Sequence, residues 1–158
     1  MERTPITREG YDRLRQEVEH LERVERPSVV KAIAEARAHG DLSENAEYSA
    51  AKERQSLIEG KIQDLRYKLS TSEIIDFHDL TCDRITFGNV VVLTDLESGQ
   101  SAQYHLVGPH ESDASNGRIS VTAPLGKALI GKEVGDEVKV NAPGGIREFE
   151  VVDILIPR

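Results

Sequence analysis

The segment HGDLSENAEY, residues 39–48, is a short polar break between two long segments with helical periodicity. Gly40 and Asn45 are residue types that favour turns, and almost nothing in the segment is apolar. A break this short leaves two consecutive helices only an antiparallel arrangement. The segment therefore predicts that residues 1–75 form a helical hairpin with its tip at residues 40–45.

The apolar residues on either side of the break recur every three or four positions, which is the spacing of a coiled-coil seam. They are Tyr11, Leu14, Val18, Leu21, Val29, Val30 and Ile33, then Tyr48, Ala51, Ile58, Ile62, Leu65 and Leu69, with Gln55 as a polar interruption. A turn at the tip makes Leu14 face Leu69, Leu21 face Leu65, and Val29 face Ile58. At 1.5 Å per residue, an arm of about 33 residues is roughly 50 Å long.

Two residues mark where the first helix begins and where it is disturbed. Thr7 is predicted to be its N-cap, with Ile6 ahead of it as a hydrophobic staple. Pro27 lies inside the periodic segment, where it removes a backbone hydrogen bond and costs about 3 kcal/mol. We expect a kink at Pro27, or a new helical segment that starts with it.

The sequence after Ser70 changes to β-branched runs separated by Gly, Pro and Asn. A linker over residues 74–82 is followed by RITFGNVVVL (84–93), QYHLVG (103–108), RISVTA (118–123), DEVKVNA (136–142) and REFEVVDILI (147–156). These runs predict five strands, and Pro124 is placed to open a short helix that ends near Gly131. Residues 76–158 are therefore predicted to form a small β-rich domain, and the whole chain an α+β fold.

The charge balance excludes some partners and favours others. A net charge of −8 argues against broad electrostatic binding to nucleic acid, which needs clustered Lys and Arg. Residues 76–158 carry 7 Lys/Arg against 13 Asp/Glu, so a basic protein surface suits them as a partner. Acids retained for solubility explain the same excess.

The cysteine content and the hydropathy of the sequence bear on its compartment. Cys82 is the single cysteine, which rules out an intrachain disulfide and favours a reducing compartment. No apolar run follows Met1, and none approaches the roughly 20 residues of a membrane span. We expect a soluble cytoplasmic protein with no membrane partner.

Asp41 and Glu44 in the tip allow two interpretations. Their spacing is that of a capping box, with Asp41 as N-cap and Glu44 at N3 of the second helix. Two fixed carboxylates are also half of a Mg²⁺ site, because Mg²⁺ is often held by one or two carboxylates while phosphates supply further oxygens. The residues alone leave both open. Four basic residues flank the tip, and they are either phosphate contacts or solvated charges on the helix surface. They are Arg37, His39, Lys52 and Arg54.

Several longer stretches resemble the bacterial Gre transcript-cleavage factors, which act in transcription elongation. They are IAEARAHGDLSENAEYSAAKERQ (33–55), FGNVVVL (87–93), ISVTAPLGKALIGKEVGDEVKVNAPGG (119–145) and FEVVDI (149–154). The C-terminal stretches are more similar to the GreA branch than to the GreB branch. The resemblance implies a long antiparallel coiled coil followed by a small FKBP-like domain.

The resemblance also implies a partner and a mechanism. Members of this family are accessory factors, not enzymes; they enter the secondary channel of bacterial RNA polymerase and stimulate its own cleavage of backtracked RNA. Asp41 and Glu44 match the acids that help hold a catalytic Mg²⁺, shared with the polymerase and bound weakly by the factor alone. Arg37 and Lys52 match a basic patch that faces the nascent RNA 3′ end. The polymerase-docking loop corresponds to Pro124, Leu125, Gly126, Lys127, Ala128 and Leu129, and the factor is expected to be monomeric.

Three other functions are compatible with the same architecture. A channel-entering inhibitor of RNA polymerase would use the acids only as caps, although the intact D-L-x-E-N motif argues against it. Peptidyl-prolyl isomerase activity is implied by an FKBP-like fold, but fold alone does not give function, and aromatic residues are few in this domain. A plain coiled-coil scaffold predicts that Asp41→Asn changes no activity.

Overall fold

The computed structural model describes residues 3–40, 45–76 and 80–157. It divides into a helical unit, Tyr11–Thr71, and a β-rich unit, Met1–Gly10 with Ser72–Arg158. The predicted domain boundary between residues 75 and 76 stays a prediction. The two units of the structure are divided elsewhere, after Gly10 and before Ser72. Within the described ranges, no helix has the length and apolar character needed to cross a membrane.

The helical unit is built from two antiparallel rods. Its first rod consists of α1 (Arg8–His20), a π-helical turn (Leu21–Glu25) and α2 (Arg26–Arg37), and its second rod is α3 (Ala46–Thr71). The seam buries apolar side chains from both rods, namely Leu14, Val18, Leu21, Val29, Ile33, Ala36, Ala51, Ile58, Ile62 and Leu65. The predicted hairpin is thus confirmed. The prediction for Val30 is wrong, because its side chain is 52% exposed.

Ion pairs also join the two rods across the seam. Arg26 donates from Nε and Nη2 to the two carboxylate oxygens of Glu59, at 2.6 and 2.9 Å. Further pairs join Lys61 to Glu17, Arg54 to Glu25 and Arg66 to Glu22. Glu25 and Arg26, nearer the tip end of the first rod, pair with earlier residues of α3 than Glu17 and Glu22 do, as two antiparallel helices require.

The π-helical turn ends at Glu25, two residues before Pro27. Pro27 has no N–H to donate to the carbonyl four residues earlier. The N–H of Arg26 instead bonds to the carbonyl of Leu21, five residues back, and the backbone stays helical at His20, Glu25 and Arg26. The expected disturbance is present, and it takes the form of a local π-turn inside a continuous rod.

Among the described residues, the β-rich unit contains a mixed five-stranded sheet. Its strands are β3 (Val90–Asp95), β4 (Ser101–Val107), β5 (Arg118–Ser120), β6 (Glu137–Ala142) and β7 (Gly145–Leu155). Their order in the sheet is β5-β4-β3-β7-β6. Neighbours pair antiparallel except β4 with β5. All five predicted strands occur, and the α+β class is confirmed. The first starts later than predicted because residues 86–89 form a turn around the buried side chain of Asn89.

The short helix α4 (Pro124–Leu129) packs against this sheet, as its sequence predicted. Leu129 is fully buried with Leu93, Leu106 and Val151 in the core of the unit. Gly126 allows the close approach, since a Cβ there would lie 2.1 Å from the carbonyl oxygen of Ser120. The helix is therefore locked onto β5 by a glycine and by one core leucine.

A second, two-stranded sheet was missed in the sequence. β1 (Thr4–Thr7) pairs in parallel with β2 (Ser72–Ile75), so part of the predicted linker at residues 74–82 is a strand. The buried carboxylate of Glu111 accepts the N–H of Thr7 at 2.7 Å and also its hydroxyl. The Thr7 hydroxyl oxygen in turn accepts the N–H of Gly10 at 3.0 Å, which confirms Thr7 as the N-cap of α1.

Candidate functional site

The two rods are joined at the tip end by the side chain of Asn45. Its Nδ2 donates to the carbonyl of Ala36 at 2.7 Å, and its Oδ1 accepts the N–H of Tyr48 at 3.0 Å. Since α3 begins at Ala46, Asn45 is its N-cap and Tyr48 is at N3. The capping box predicted from Asp41 and Glu44 is therefore wrong about which residue caps this helix.

Asp41 and Glu44 themselves lie outside the described residues, which exclude 41–44. Their role as metal ligands stays a prediction. Among the residues that the structure does describe, no group of three or more His, Cys, Asp or Glu side chains is arranged to hold a metal ion. The sequence provides two carboxylates in the tip, and carboxylate oxygens are suitable ligands for Mg²⁺.

The structure brings Arg37 and Lys52 together beside the tip. Both are exposed, and both line a groove of about 210 Å³, here called the tip groove. The lining of the tip groove consists of Val30, Ile33, Ala34, Arg37, Lys52 and Gln55. Its floor is apolar, and its rim carries two cations and an amide. The two cations at the rim can bind a phosphate, and the apolar floor can contact an apolar part of the same ligand.

Each of these cations has a local contact that holds it in place. The Arg37 guanidinium carbon lies 5.9 Å from the centroid of the Tyr48 ring, within the range of a cation–π contact. Lys52 donates from Nζ to Oε1 of Gln55 at 3.1 Å. Gln55, which interrupts the apolar periodicity in the sequence, thus has a position at the rim of the tip groove.

The other two flanking cations differ from this pair. Arg54 donates to Glu25 at 2.9 Å, and this bond lowers the pKa of the Glu25 carboxyl. His39 is exposed and follows the end of α2, and Gly40 beside it has a φ of 112°, which favours glycine. Arg54 therefore serves the seam between the rods, and the structure places it in an ion pair instead of the tip groove.

The predicted docking residues all belong to α4 and differ in exposure. Pro124 and Lys127 are exposed, and Leu125 and Ala128 are half-buried. Gly126 and Leu129 are buried, because they fix α4 on the sheet. The docking role stays a prediction, and only the outward residues of α4 can make direct contacts.

Asn45 is the residue at this site that sequence reasoning missed. Asn is a common N-cap, yet Asp41, Ser43 and Asn45 all offer capping side chains within the same break. The feature that separates them is the bond to Ala36, nine residues earlier in the chain. A contact of that kind depends on how the two rods approach each other, and no local pattern reports it.

Comparison with known proteins gives a consistent result over both units. A family model described as "Transcription elongation factor, N-terminal" matches residues 4–74. A second, "Transcription elongation factor, GreA/GreB, C-term", matches residues 80–156.

Individual relatives match over nearly the whole chain. The transcription elongation factor GreA of Syntrophus aciditrophicus is 56% identical over 99% of this chain and 97% of its own. The transcription elongation factor GreA of Syntrophobacter fumaroxidans is 54% identical over 98% of this chain and 99% of its own length. A crystal structure of GreA factor homolog 1 of Thermus thermophilus covers 96% of this chain and 98% of its own, with 32% sequence identity and a TM-score of 0.45. On the sequence matches, this chain belongs to the GreA/GreB family of transcription elongation factors.

Proposed function

We propose that this protein is an accessory factor that enters the secondary channel of bacterial RNA polymerase and stimulates cleavage of backtracked RNA. The bond is broken in the polymerase's own active site, so the factor is not itself an enzyme. Relatives that are 50–56% identical over nearly the full chain are named transcription elongation factor GreA, which supports this role. The polymerase works in the cytoplasm, and we expect the factor there.

The observation that carries the proposal is the position of Arg37 and Lys52 on one groove beside the tip. The groove is at the end of α2 and near the start of α3, next in sequence to the segment with Asp41 and Glu44. The helix α3 has 26 residues, or roughly 39 Å at 1.5 Å per residue. A rod of that length can carry a charged end into a narrow channel.

Each charge near the tip has a separate task in this proposal. Arg37 and Lys52 bind the phosphates of the extruded RNA 3′ segment and hold it beside the tip. Asp41 and Glu44 offer carboxylate oxygens to a Mg²⁺ ion that the polymerase also ligates. A Mg²⁺ ion held there would stabilise negative charge on the phosphodiester during hydrolysis. Two carboxylates alone bind Mg²⁺ weakly, so the free factor stays inactive.

The β-rich unit is proposed to dock on the polymerase. The exposed Pro124 and Lys127 of α4 are the contacts that we assign to the channel rim. The buried Gly126 and Leu129 hold α4 in one position on the sheet, so these contacts are presented rigidly. Docking by a preorganised helix loses little conformational entropy on binding.

Transcript cleavage in a backtracked elongation complex tests the function. Bacterial RNA polymerase is stalled and backtracked on a template with RNA labelled at its 5′ end, and the purified protein is added. We expect shortened RNA that resumes extension when nucleotides are supplied. A polymerase with its own catalytic metal site inactivated should give no shortening, which identifies the active site that acts. Blocked extension without shorter RNA would instead identify a channel-entering inhibitor.

A further inference from the structure

The tip groove has an apolar floor that the seam between the rods does not use. Val30 fits the periodicity of the seam, yet its side chain is 52% exposed. Ala34, one helical turn later, is exposed as well, while Ile33 is buried in the seam. Because Ile33 belongs to the packed seam, the floor has a fixed shape before any ligand binds. Val30 and Ala34 therefore form an apolar surface that is open to solvent and held in one place.

The rim of the same groove is positively charged. Arg37 lies beside the Tyr48 ring, with its guanidinium carbon 5.9 Å from the ring centroid. Lys52 is oriented by Gln55, whose Oε1 accepts a hydrogen bond from Nζ at 3.1 Å. Among the described residues, the six that line the groove include no acid, although the net charge of the chain is −8. The groove therefore favours a ligand that has negative charge next to an apolar face.

A nucleotide combines these two properties. Its phosphate can accept charge-assisted hydrogen bonds from the two cations, and every base has an apolar π-face that can pack on a surface whatever the sequence. A basic protein segment would be repelled by Arg37 and Lys52. An acidic segment would be attracted to them, but the proposed function already brings the phosphates of an RNA 3′ segment to these cations. RNA is therefore the occupant that the charge and the apolar floor favour together.

We propose that the tip groove is a subsite for one nucleotide of the extruded RNA, with the base packed against Val30 and Ala34 and its phosphate held by Arg37 and Lys52. An aliphatic floor offers no hydrogen-bonding pattern to a base. The contact therefore adds affinity for RNA without a preference for sequence. The inference rests on the proposed function, which assigns RNA phosphates to the two cations, and it adds a base contact to that site.

A matched pair of valines separates a base contact from an effect on helix stability. Val30→Ser removes apolar surface from the floor and introduces no charge. Val24→Ser makes the same change in the first rod, at a side chain that is 53% exposed and does not line the tip groove. Valine and serine have similar helix propensities. Circular dichroism should therefore give the same helix content for wild type and both variants.

The experiment uses backtracked complexes of bacterial RNA polymerase in which one nucleotide of the extruded RNA lacks its base. The abasic nucleotide is placed at each extruded position in turn, and the rate of stimulated cleavage is measured at subsaturating factor. For wild type and Val24→Ser we expect one position at which loss of the base slows cleavage roughly threefold to tenfold. Contacts of the polymerase with the same base are common to all the factors and cancel in the comparison.

Val30→Ser should behave differently on the same set of complexes. We expect it to cleave intact RNA more slowly than wild type does, by the same factor that loss of the base costs wild type. Loss of the base at the identified position should then cause no further fall for Val30→Ser. This coupling between one side chain and one base is a result that a merely structural role of Val30 would not produce.

The remaining outcomes overturn the inference. If Val30→Ser cleaves intact RNA as fast as wild type does, the floor contacts no ligand. If Val30→Ser is slower by the same factor on intact RNA and on every abasic RNA, the floor contacts something other than a base, such as an acidic segment of the polymerase. In both cases shortening of intact RNA by wild type would leave the proposed function in place. If wild type shortens no RNA at all, the proposed function fails and this inference fails with it.

Discussion

The Glu111 carboxylate accepts hydrogen bonds from both the backbone N–H and the hydroxyl of Thr7, which lies 104 residues earlier in the chain. Both side chains are buried, and Glu111 also accepts the N–H of Gly108 at 3.1 Å. This network holds β1 in the β-rich unit and sets the first turn of α1 through the Thr7 cap. One buried carboxylate therefore determines where the first helix begins.

Replacing Thr7 by valine removes the hydroxyl and keeps the β-branched shape. The Gly10 N–H then loses its cap and Glu111 loses one donor, so we expect the free energy of unfolding to fall by about 1–2 kcal/mol. Urea denaturation followed by circular dichroism measures this change. Thr4→Val in the same strand is the control and should change stability by less than about 0.5 kcal/mol. Equal losses in both variants would mean that the Thr7–Glu111 network contributes nothing specific.

His105 should make stability depend on pH. Burial lowers the pKa of His105 below the ordinary value of 6.5. The hydrogen bond to the Gly88 carbonyl and the charges of Glu111 and Glu9 act in the opposite direction and raise this pKa, while the charge of Arg118 lowers it further. The unfolded chain therefore binds more protons than the folded one as pH falls through 6.5 toward the lower folded pKa. Stability is retained above this window and is lost progressively within it.

The measurement is the unfolding free energy of wild type and His105→Gln in urea between pH 8 and pH 5. We expect the difference between them to vary with pH only below about 7, with wild type losing stability relative to the variant. His39→Gln, at an exposed position, is the control. A wild type that gains stability relative to His105→Gln on acidification would show that the nearby acids outweigh burial.

Pro27→Ala tests the cause of the π-helical turn. An N–H at residue 27 restores the missing donor inside a rod that is helical on both sides. We expect the free energy of unfolding to rise by about 1–3 kcal/mol, with a higher midpoint of thermal unfolding. Ser28→Ala, one residue later and also exposed, should give no more than about 0.5 kcal/mol from helix propensity. If the two variants match, packing of the rods produces the turn and the proline does not.

The rim cations of the tip groove should affect RNA cleavage without affecting the fold. For Arg37→Gln and Lys52→Gln we expect a loss of about 1 kcal/mol each in stimulated cleavage, or roughly fivefold. The loss should be greatest at low salt, where phosphate contacts are strongest. Lys31→Gln removes an exposed cation from the same helix α2 and should leave cleavage unchanged. A similar loss for all three variants would indicate general charge attraction instead of a specific groove.

Local patterns in the sequence predicted those elements that depend on neighbours in the chain. The periodicity of apolar residues gave the antiparallel rods, and β-branched runs between Gly and Pro gave the five strands of the sheet. Periodicity failed at Val30, because one face of a helix extends beyond the width that a single partner helix covers. Both adjacent valines fit the pattern, and only Val29 is buried.

The features that the sequence did not provide are contacts between distant residues. The pairing of β1 with β2 joins residues 68 positions apart, such as Thr4 and Ser72, and neither strand has a strong pattern of its own. The bond from Asn45 to Ala36 depends on the same kind of tertiary proximity. The sequence alone identified the cations that flank the tip, and the resemblance singled out Arg37 and Lys52. The structure added that these two residues share one groove.

In the proposed function, the two tip carboxylates help to hold the catalytic Mg²⁺. The most direct measurement is the cleavage rate of backtracked RNA at saturating factor, over a Mg²⁺ titration, for wild type, Asp41→Asn and Glu44→Gln. Glu47→Gln, in the exposed first turn of α3, is the control acid. We expect both tip variants to compete for the polymerase as wild type does but to cleave roughly 100-fold more slowly, with a higher Mg²⁺ requirement. Glu47→Gln should behave as wild type. Tip variants that cleave at the wild-type rate and with the wild-type Mg²⁺ requirement would contradict this proposal.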